Sequence, residues 1–202
     1  MVVVCTAGER TRLESEYLAN WHGHQIKGYC NNISTSQSLK TDRMIFARER
    51  VGIPPKTIID FGCGDGSFAV ELASSGFEVV AVDFPDVLAS FKLQNANVRY
   101  IGMNLDEAWV DRLIPEQFDV AVCLEILEHL LRDYDFLYNI RRILKPLGYI
   151  ILSVPLKDNM TIDDHHLRYF PKFSLYKLLQ SAGYRNIELT EGDTSLLWVA
   201  YV

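Results

Sequence analysis

From residue 56 onward the chain alternates short apolar runs with longer amphipathic ones. The spacing predicts buried strands over 57–61, 78–82, 98–101, 118–123 and 149–154. Helical patterns fall between them over 67–75, 85–93 and 107–113, and a longer one follows the fourth strand through Leu144. Gly76 and Lys145-Pro146-Leu147-Gly148 supply stops. Strands alternating with such helices need crossover connections, hence a parallel, doubly wound sheet covered on both faces. The C-terminal end breaks this rhythm. A helix over 173–181 stops at Gly183, and strands over 186–190 and 196–202 follow, joined across Glu191-Gly192-Asp193. Two strands with no helix between them pair antiparallel. The expected fold is α/β, a seven-stranded sheet that is mostly parallel with an antiparallel last strand.

The first 55 residues follow another pattern. Residues 8–51 read as helical but polar, broken at Trp21-His22-Gly23-His24 and at Asn31-Asn32-Ile33-Ser34. Ser36 or Ser38 can cap a helix with Leu39, Met44, Ile45 and Ala47 on one side, stopped by Gly52 and Pro54-Pro55. Residues 1–55 are therefore expected to be a helical segment of the same domain as a core over 56–202.

Composition narrows the setting. At 202 residues, with 49% hydrophobic and 23% charged residues, the chain suits one domain with a sizeable core. A net charge of -6 gives no general attraction for nucleic acid or anionic membranes. Cys5, Cys30, Cys63 and Cys123 lie far apart without metal-site spacing, which suits reduced thiols in the cytoplasm. The apolar start, 1–5, is too short for a signal peptide, and no apolar run approaches the roughly 20 residues that span a bilayer. A cytoplasmic location and no membrane span are expected.

The chemistry concentrates at TIIDFGCGDGSF, residues 57–68, where a strand ends on Asp60 and Gly62, Gly64 and Gly66 follow at every second position. Such a turn lies at the carboxyl end of a strand, where open α/β sheets bind ligands. No Gly-Lys-Ser/Thr follows it, so it is not a P-loop. A dinucleotide turn would be spaced G-x-G-x-x-G with pyrophosphate on the helix N-terminus. Here Asp60 and Asp65 crowd the turn and favour a cationic ligand carrying an ammonium. Asp83, ending the second strand, can accept both ribose hydroxyls of an adenosine.

With these pieces in place the chain resembles the class I S-adenosylmethionine-dependent methyltransferases. The matching segments are IIDFGCGDG, VVAVDF, FDVAVCLEILEHL, RILKPLGYIILSVP and AGY, in family order from about residue 56 to the end. Leu147 departs from the family, which commonly has glycine there. The resemblance implies a Rossmann-like sheet and S-adenosyl-L-methionine as cofactor, with S-adenosylhomocysteine as product. It implies that Asp60, Phe61, Gly62, Cys63, Gly64 and Gly66 hold the methionine part, that Asp83 binds the ribose, and that Phe84 lies against the adenine. Asn104, where the family usually has an acid, and Leu105 would meet the adenine edge. Cys123, Leu124 and Glu125 would close the fourth strand beneath the sulfonium.

Catalytic roles are expected of His129, His166 and Glu125. The segment Glu125-Ile126-Leu127-Glu128-His129 sets two acids and an imidazole at i, i+3 and i+4, one face if a helix starts there. With His165 or His166 they could hold a divalent metal, although no metal is assigned. Residues 165–170 resemble the family's acceptor-pocket wall. Tyr17, Trp21, His22, His24 and Tyr29 lie where the family builds a substrate lid. The chain is similar to the ubiquinone-biosynthesis-type O-methyltransferases and, in E-x-x-E-H, to small-RNA 2′-O-methyltransferases. The expectation is methylation of a small molecule at oxygen by a monomer or homodimer, without nucleic acid. An RNA or protein methyltransferase, a noncatalytic cofactor-binding subunit and a nicotinamide dehydrogenase stand as alternatives.

Overall fold

The computed structural model describes residues 41–90, 95–156 and 166–202. Expectations resting on residues 1–40, including the lid aromatics and histidines, Ser36, Ser38, Leu39, Cys5 and Cys30, lie outside the described residues, as does His165.

Helix α1 spans Asp42–Arg50. Strand β1 (Thr57–Phe61), helix α2 (Ser67–Ser74), strand β2 (Glu78–Asp83), helix α3 (Pro85–Ser90) and strand β3 (Val98–Gly102) follow. Then come β4 (Phe118–Leu124), α4 (Asp133–Ile143), β5 (Leu144–Pro155), α5 (Lys172–Ser181), β6 (Arg185–Glu191) and β7 (Ser195–Tyr201). The seven strands form one sheet in the order β3-β2-β1-β4-β5-β7-β6. Pairs among β1 to β5 are parallel, and β7 pairs antiparallel with both β5 and β6. The expected architecture is therefore present, and strand order reverses between β1 and β4.

The central strands bury both faces, which explains their continuous apolar runs. One side packs Ile59, Phe61, Ala121 and Ile150 with the apolar faces of α4 and α5. The other packs Ile58, Val122 and Ile151 with α2 and with Phe46 and Ala47 of α1. Helix α1 turns Phe46 and Ala47 inward and leaves Ile45 exposed, so the expected Met44-Ile45-Ala47 face is rotated. Two ion pairs fix this helix: Arg48 reaches Glu71 at 2.5 and 2.9 Å, and Arg50 reaches Glu188 at 3.0 Å.

Two expected elements differ. Residues 107–113 contain only a 3₁₀ turn, Val110–Arg112. Trp109, Val110 and Leu113 are buried there, and the Trp109 indole N–H donates to the Leu105 carbonyl at 3.1 Å. Their spacing seals the core beneath a turn. Strand β5 begins at Leu144, five residues early, because the Lys145–Gly148 turn lies within a bulged pairing with β4.

Candidate active site

A cavity opens above the carboxyl ends of β1, β2 and β4, where strand order reverses. Its floor is the glycine turn. Gly62, Gly64 and Gly66 have φ of 68°, 54° and 75°, the left-handed region that glycine enters without Cβ strain. Gly62 and Cys63 donate their N–H groups to the Val82 carbonyl at 2.8 and 3.1 Å, locking the turn to β2. A Cβ on Gly62 would lie 2.6 Å from Ile126 Cδ1, and one on Gly66 would lie 3.1 Å from the Tyr100 ring. Those two glycines therefore make room for protein side chains. Gly64 lines the cavity itself.

Three acids organise the turn. Asp65 Oδ1 accepts the Ser67 N–H at 2.9 Å, placing a carboxylate at the start of α2. Asp83 Oδ2 accepts the Gly64 N–H and its Oδ1 the Phe84 N–H, both at 2.8 Å. Asp83 thus braces the glycine turn from the end of β2. Burial pushes its pKa up to about 6 against these hydrogen bonds. Asp60 lines the cavity, and its Oδ2 is buried without a hydrogen-bond partner. Burial, then the charges of Asp83 and Asp65, push Asp60 up to about 8. A buried unsatisfied carboxylate in a cleft is costly until a cation or donor arrives.

Several expected residues lie elsewhere. Phe61 points to the opposite face, its ring 5.1 Å from Trp109 and 5.3 Å from Phe136. Cys123 is fully buried in the same core, whereas Leu124 and Glu125 line the cavity. Strand alternation explains both, since neighbours point to opposite faces. Asn104 does not line the cavity. Its Oδ1 accepts the Asp106 N–H and its Nδ2 donates to Glu107 Oε1, both at 3.0 Å, closing a local turn. Leu105 lines the wall, and the acid on that side is Asp106. Burial raises the Asp106 pKa, although the Arg132 N–H donates to its Oδ1 at 3.1 Å.

On the far wall the expected helical face does not form. Glu125 has φ 54°, and only a 3₁₀ turn, Leu127–His129, follows. Glu125 turns back to β5, where Ser153 donates to its Oε1 at 2.7 Å. His129 lines the cavity and His166 stands behind it, ring centroids 4.8 Å apart. Glu128, fully buried, lies beneath both, its Oε1 3.9 Å from His129 Nε2 and 4.0 Å from His166 Nε2. The Leu167 N–H donates to the Glu128 carbonyl at 2.9 Å and holds this loop in place. Ligand-capable atoms of Glu128, His129 and His166 lie within 4.8 Å of one another. This trio replaces the Glu125-Glu128-His129 set expected from spacing.

Residues 34–189 match a protein family described as a methyltransferase domain. The chain belongs to the class I S-adenosylmethionine-dependent methyltransferases. This methyltransferase is 35% identical over 101 residues to the ubiquinone biosynthesis O-methyltransferase of Rickettsia bellii, covering 48% of this chain and 40% of that protein. It is 30% identical over 138 residues to the mitochondrial ubiquinone biosynthesis O-methyltransferase of Schizosaccharomyces pombe, covering 61% and 49%. The chain thus spans less than half the length of these curated relatives. Among solved structures, a SAM-dependent methyltransferase from Archaeoglobus fulgidus superposes with a TM-score of 0.67 at 17% identity, covering 82% of this chain and 97% of that one. The 1,6-didemethyltoxoflavin-N1-methyltransferase of Burkholderia thailandensis does so with a TM-score of 0.66 at 19% identity, covering 100% and 92%. Both likenesses carry the fold.

Some cavity residues of this methyltransferase lie outside the motifs, and Ile126, inside Glu125-Ile126-Leu127-Glu128-His129, has no role from its motif. Arg43 and Met44 reach the cavity from α1, and Ile126 enters it beside Gly62. Arg43 lies one turn before Phe46 and Ala47, at the cavity end of the face that α1 buries.

Proposed function

We propose that this methyltransferase moves a methyl group from S-adenosylmethionine to an oxygen of a small molecule. The observation that carries the reading is Asp60, a buried acid whose Oδ2 has no hydrogen-bond partner, lining a cavity floored by a glycine turn. It suits an ammonium and a nearby sulfonium, and a pyrophosphate would meet three acids there. The relatives named for ubiquinone biosynthesis O-methylation favour oxygen and a planar acceptor.

On this reading Asp60, Cys63 and Gly64 hold the methionine part, and Arg43 faces its carboxylate. Asp83 takes the ribose, and Phe84 and Leu105 sandwich the adenine. When bound, the cofactor supplies a methyl carbon already activated for displacement. Leu124, Glu125, Ile126 and Leu130 wall the acceptor side and exclude water. His129 takes the acceptor's proton on a ring nitrogen, with Glu128 beneath it stabilising the imidazolium and His166 backing the ring. Among the described residues no helix is long and apolar enough to cross a membrane. The acidic net charge supports action without nucleic acid, and the four widely spaced cysteines support a cytoplasmic protein.

A second reading rests on the Glu128-His129-His166 cluster. An acid and two imidazoles suit a divalent cation, which would acidify a bound diol. Calorimetry with S-adenosylhomocysteine and NAD tests the cofactor: binding of the first alone is expected, and the reverse would overturn the proposal. Methylation of a catechol with and without EDTA separates the histidine base from the metal.

A further inference from the structure

The β6–β7 turn is bonded to the start of α1, which lines the cavity, and to the chain just past β5. The Thr194 N–H donates to Asp42 Oδ2 and its Oγ1 to Asp42 Oδ1, each at 3.0 Å. The Thr194 carbonyl accepts the Leu156 N–H at 2.9 Å, just past the end of β5. Asp42 also accepts its neighbour's N–H, Arg43, at 2.8 Å. The turn is shaped for this contact: a Cβ on Gly192 would collide with Asp42 Oδ2, and the Gly192 N–H closes the turn onto the Ser195 carbonyl at 2.9 Å. Thr41, Arg43 and Met44 all line the cavity, so Asp42 is the outward anchor in a run of inward-facing residues. The far end of α1 is held separately by Arg48–Glu71 and Arg50–Glu188. Loss of the Asp42 clasp would therefore loosen the first turn of α1 and leave the helix attached.

We infer that Asp42 is a positioning residue for cofactor binding, which clasps Thr194 at the β6–β7 turn and thereby aims Arg43 into the cavity. The inference rests on the cofactor reading above and adds to it a distal control point, about 150 residues away in sequence, formed by Thr194 and made possible by Gly192. Two bonds to a carboxylate fix the start of a helix, and so decide whether a guanidinium is ready or must be ordered when ligand arrives. The effect falls on the ligand's amino-acid half alone.

The test compares two ligands by calorimetry on the full chain: S-adenosylhomocysteine, and 5′-methylthioadenosine, which lacks the amino-acid group. Asp42→Ala is expected to weaken S-adenosylhomocysteine about 5- to 10-fold, the size of one ordinary net hydrogen bond, and to leave 5′-methylthioadenosine within about 2-fold. In an Arg43→Met background Asp42→Ala should add no further loss, as expected when one residue acts through the other. Thr194→Val, which keeps the fold if Asp42→Ala does not, should show the same selectivity at a smaller size. Equal weakening of both ligands, additive losses with Arg43→Met, or unchanged affinity would overturn the inference. If the unsubstituted protein bound 5′-methylthioadenosine but not S-adenosylhomocysteine, the aimed Arg43 would be wrong. If it bound neither, the cofactor reading would fall first, and the positioning role with it.

Discussion

Glu125 and Ser153 exchange hydrogen bonds across the tops of β4 and β5. The Glu125 N–H donates to Ser153 Oγ at 3.0 Å, and that hydroxyl donates back to Glu125 Oε1 at 2.7 Å. This holds a non-glycine residue at φ 54°, where a side chain costs roughly 1 kcal/mol or more. Ser153 is fully buried, so Ser153→Ala strips a buried acceptor as well as a donor. A loss of about 1–3 kcal/mol in urea unfolding is expected, with turnover falling more than cofactor affinity if Glu125, which lines the cavity, walls the acceptor side as proposed.

The Asp60 and Asp83 carboxyls set the pH response. Both are pushed up in the folded protein, to about 8 and about 6, from roughly 4 in an unfolded chain. The folded state then binds more protons at these two carboxyls, so their contribution to ligand-free stability is fully present below about pH 4 and is lost as pH rises through 6 and then 8. Cofactor binding should run the other way. An ammonium beside Asp60 favours its carboxylate, so affinity for S-adenosylhomocysteine should climb from pH 6 to 8.5 with proton release. Calorimetry in buffers of different ionisation enthalpy measures that proton. Asp60→Asn should weaken binding about tenfold and flatten the rise above pH 7.

Gly62 is tested through its neighbour. Gly62→Ala adds a left-handed strain of about 1–2 kcal/mol and drives Ile126 out of its place. Thermal unfolding should fall, and S-adenosylhomocysteine should bind more weakly because Ile126 lines the cavity. Adding Ile126→Val should recover part of both losses. Recovery of the whole would mean that the backbone strain is negligible.

Leu147 is the opposite case. It has φ 68°, is 86% exposed, and holds that turn position without a side-chain contact that explains it. Leu147→Gly is expected to stabilise the protein by about 0.5–1 kcal/mol, the relieved strain less the added chain entropy. Denaturant titration checks the sign, and ligand affinity should stay constant because the turn lies at the opposite end of the sheet.

The sheet was legible because buried parallel strands are written as unbroken apolar runs, and β1 to β5 need no distant information to be recognised. The glycine turn was legible because its left-handed glycines and the Asp83 that braces it are each set by a backbone requirement, and Asp60 by its place at the end of β1. The acceptor wall was less so. Glu125, Glu128 and His129 have helical spacing, but a left-handed Glu125 held by Ser153, 28 residues on, breaks the helix. Apolar spacing at Trp109, Val110 and Leu113 likewise reports burial without a helix. Asn104 has the family's position, yet its side chain closes its own turn and leaves Asp106 facing the cavity. Arg43 was out of reach altogether, because a lone cation on a helix gains meaning only from what the helix packs against.

Asp65 carries a consequence for life among other adenosine compounds. ATP and NAD share the adenosine half that Asp83, Phe84 and Leu105 would grip, and a cell holds both in abundance. Their phosphates need the bare start of a helix, and here Asp65 already occupies it with a carboxylate bonded to the Ser67 N–H. The protein carries its own resident anion where a competitor would put one. Crowding by nucleotides should therefore leave the pocket open to a cation, and selectivity against the commonest rivals is built into the turn before any ligand arrives.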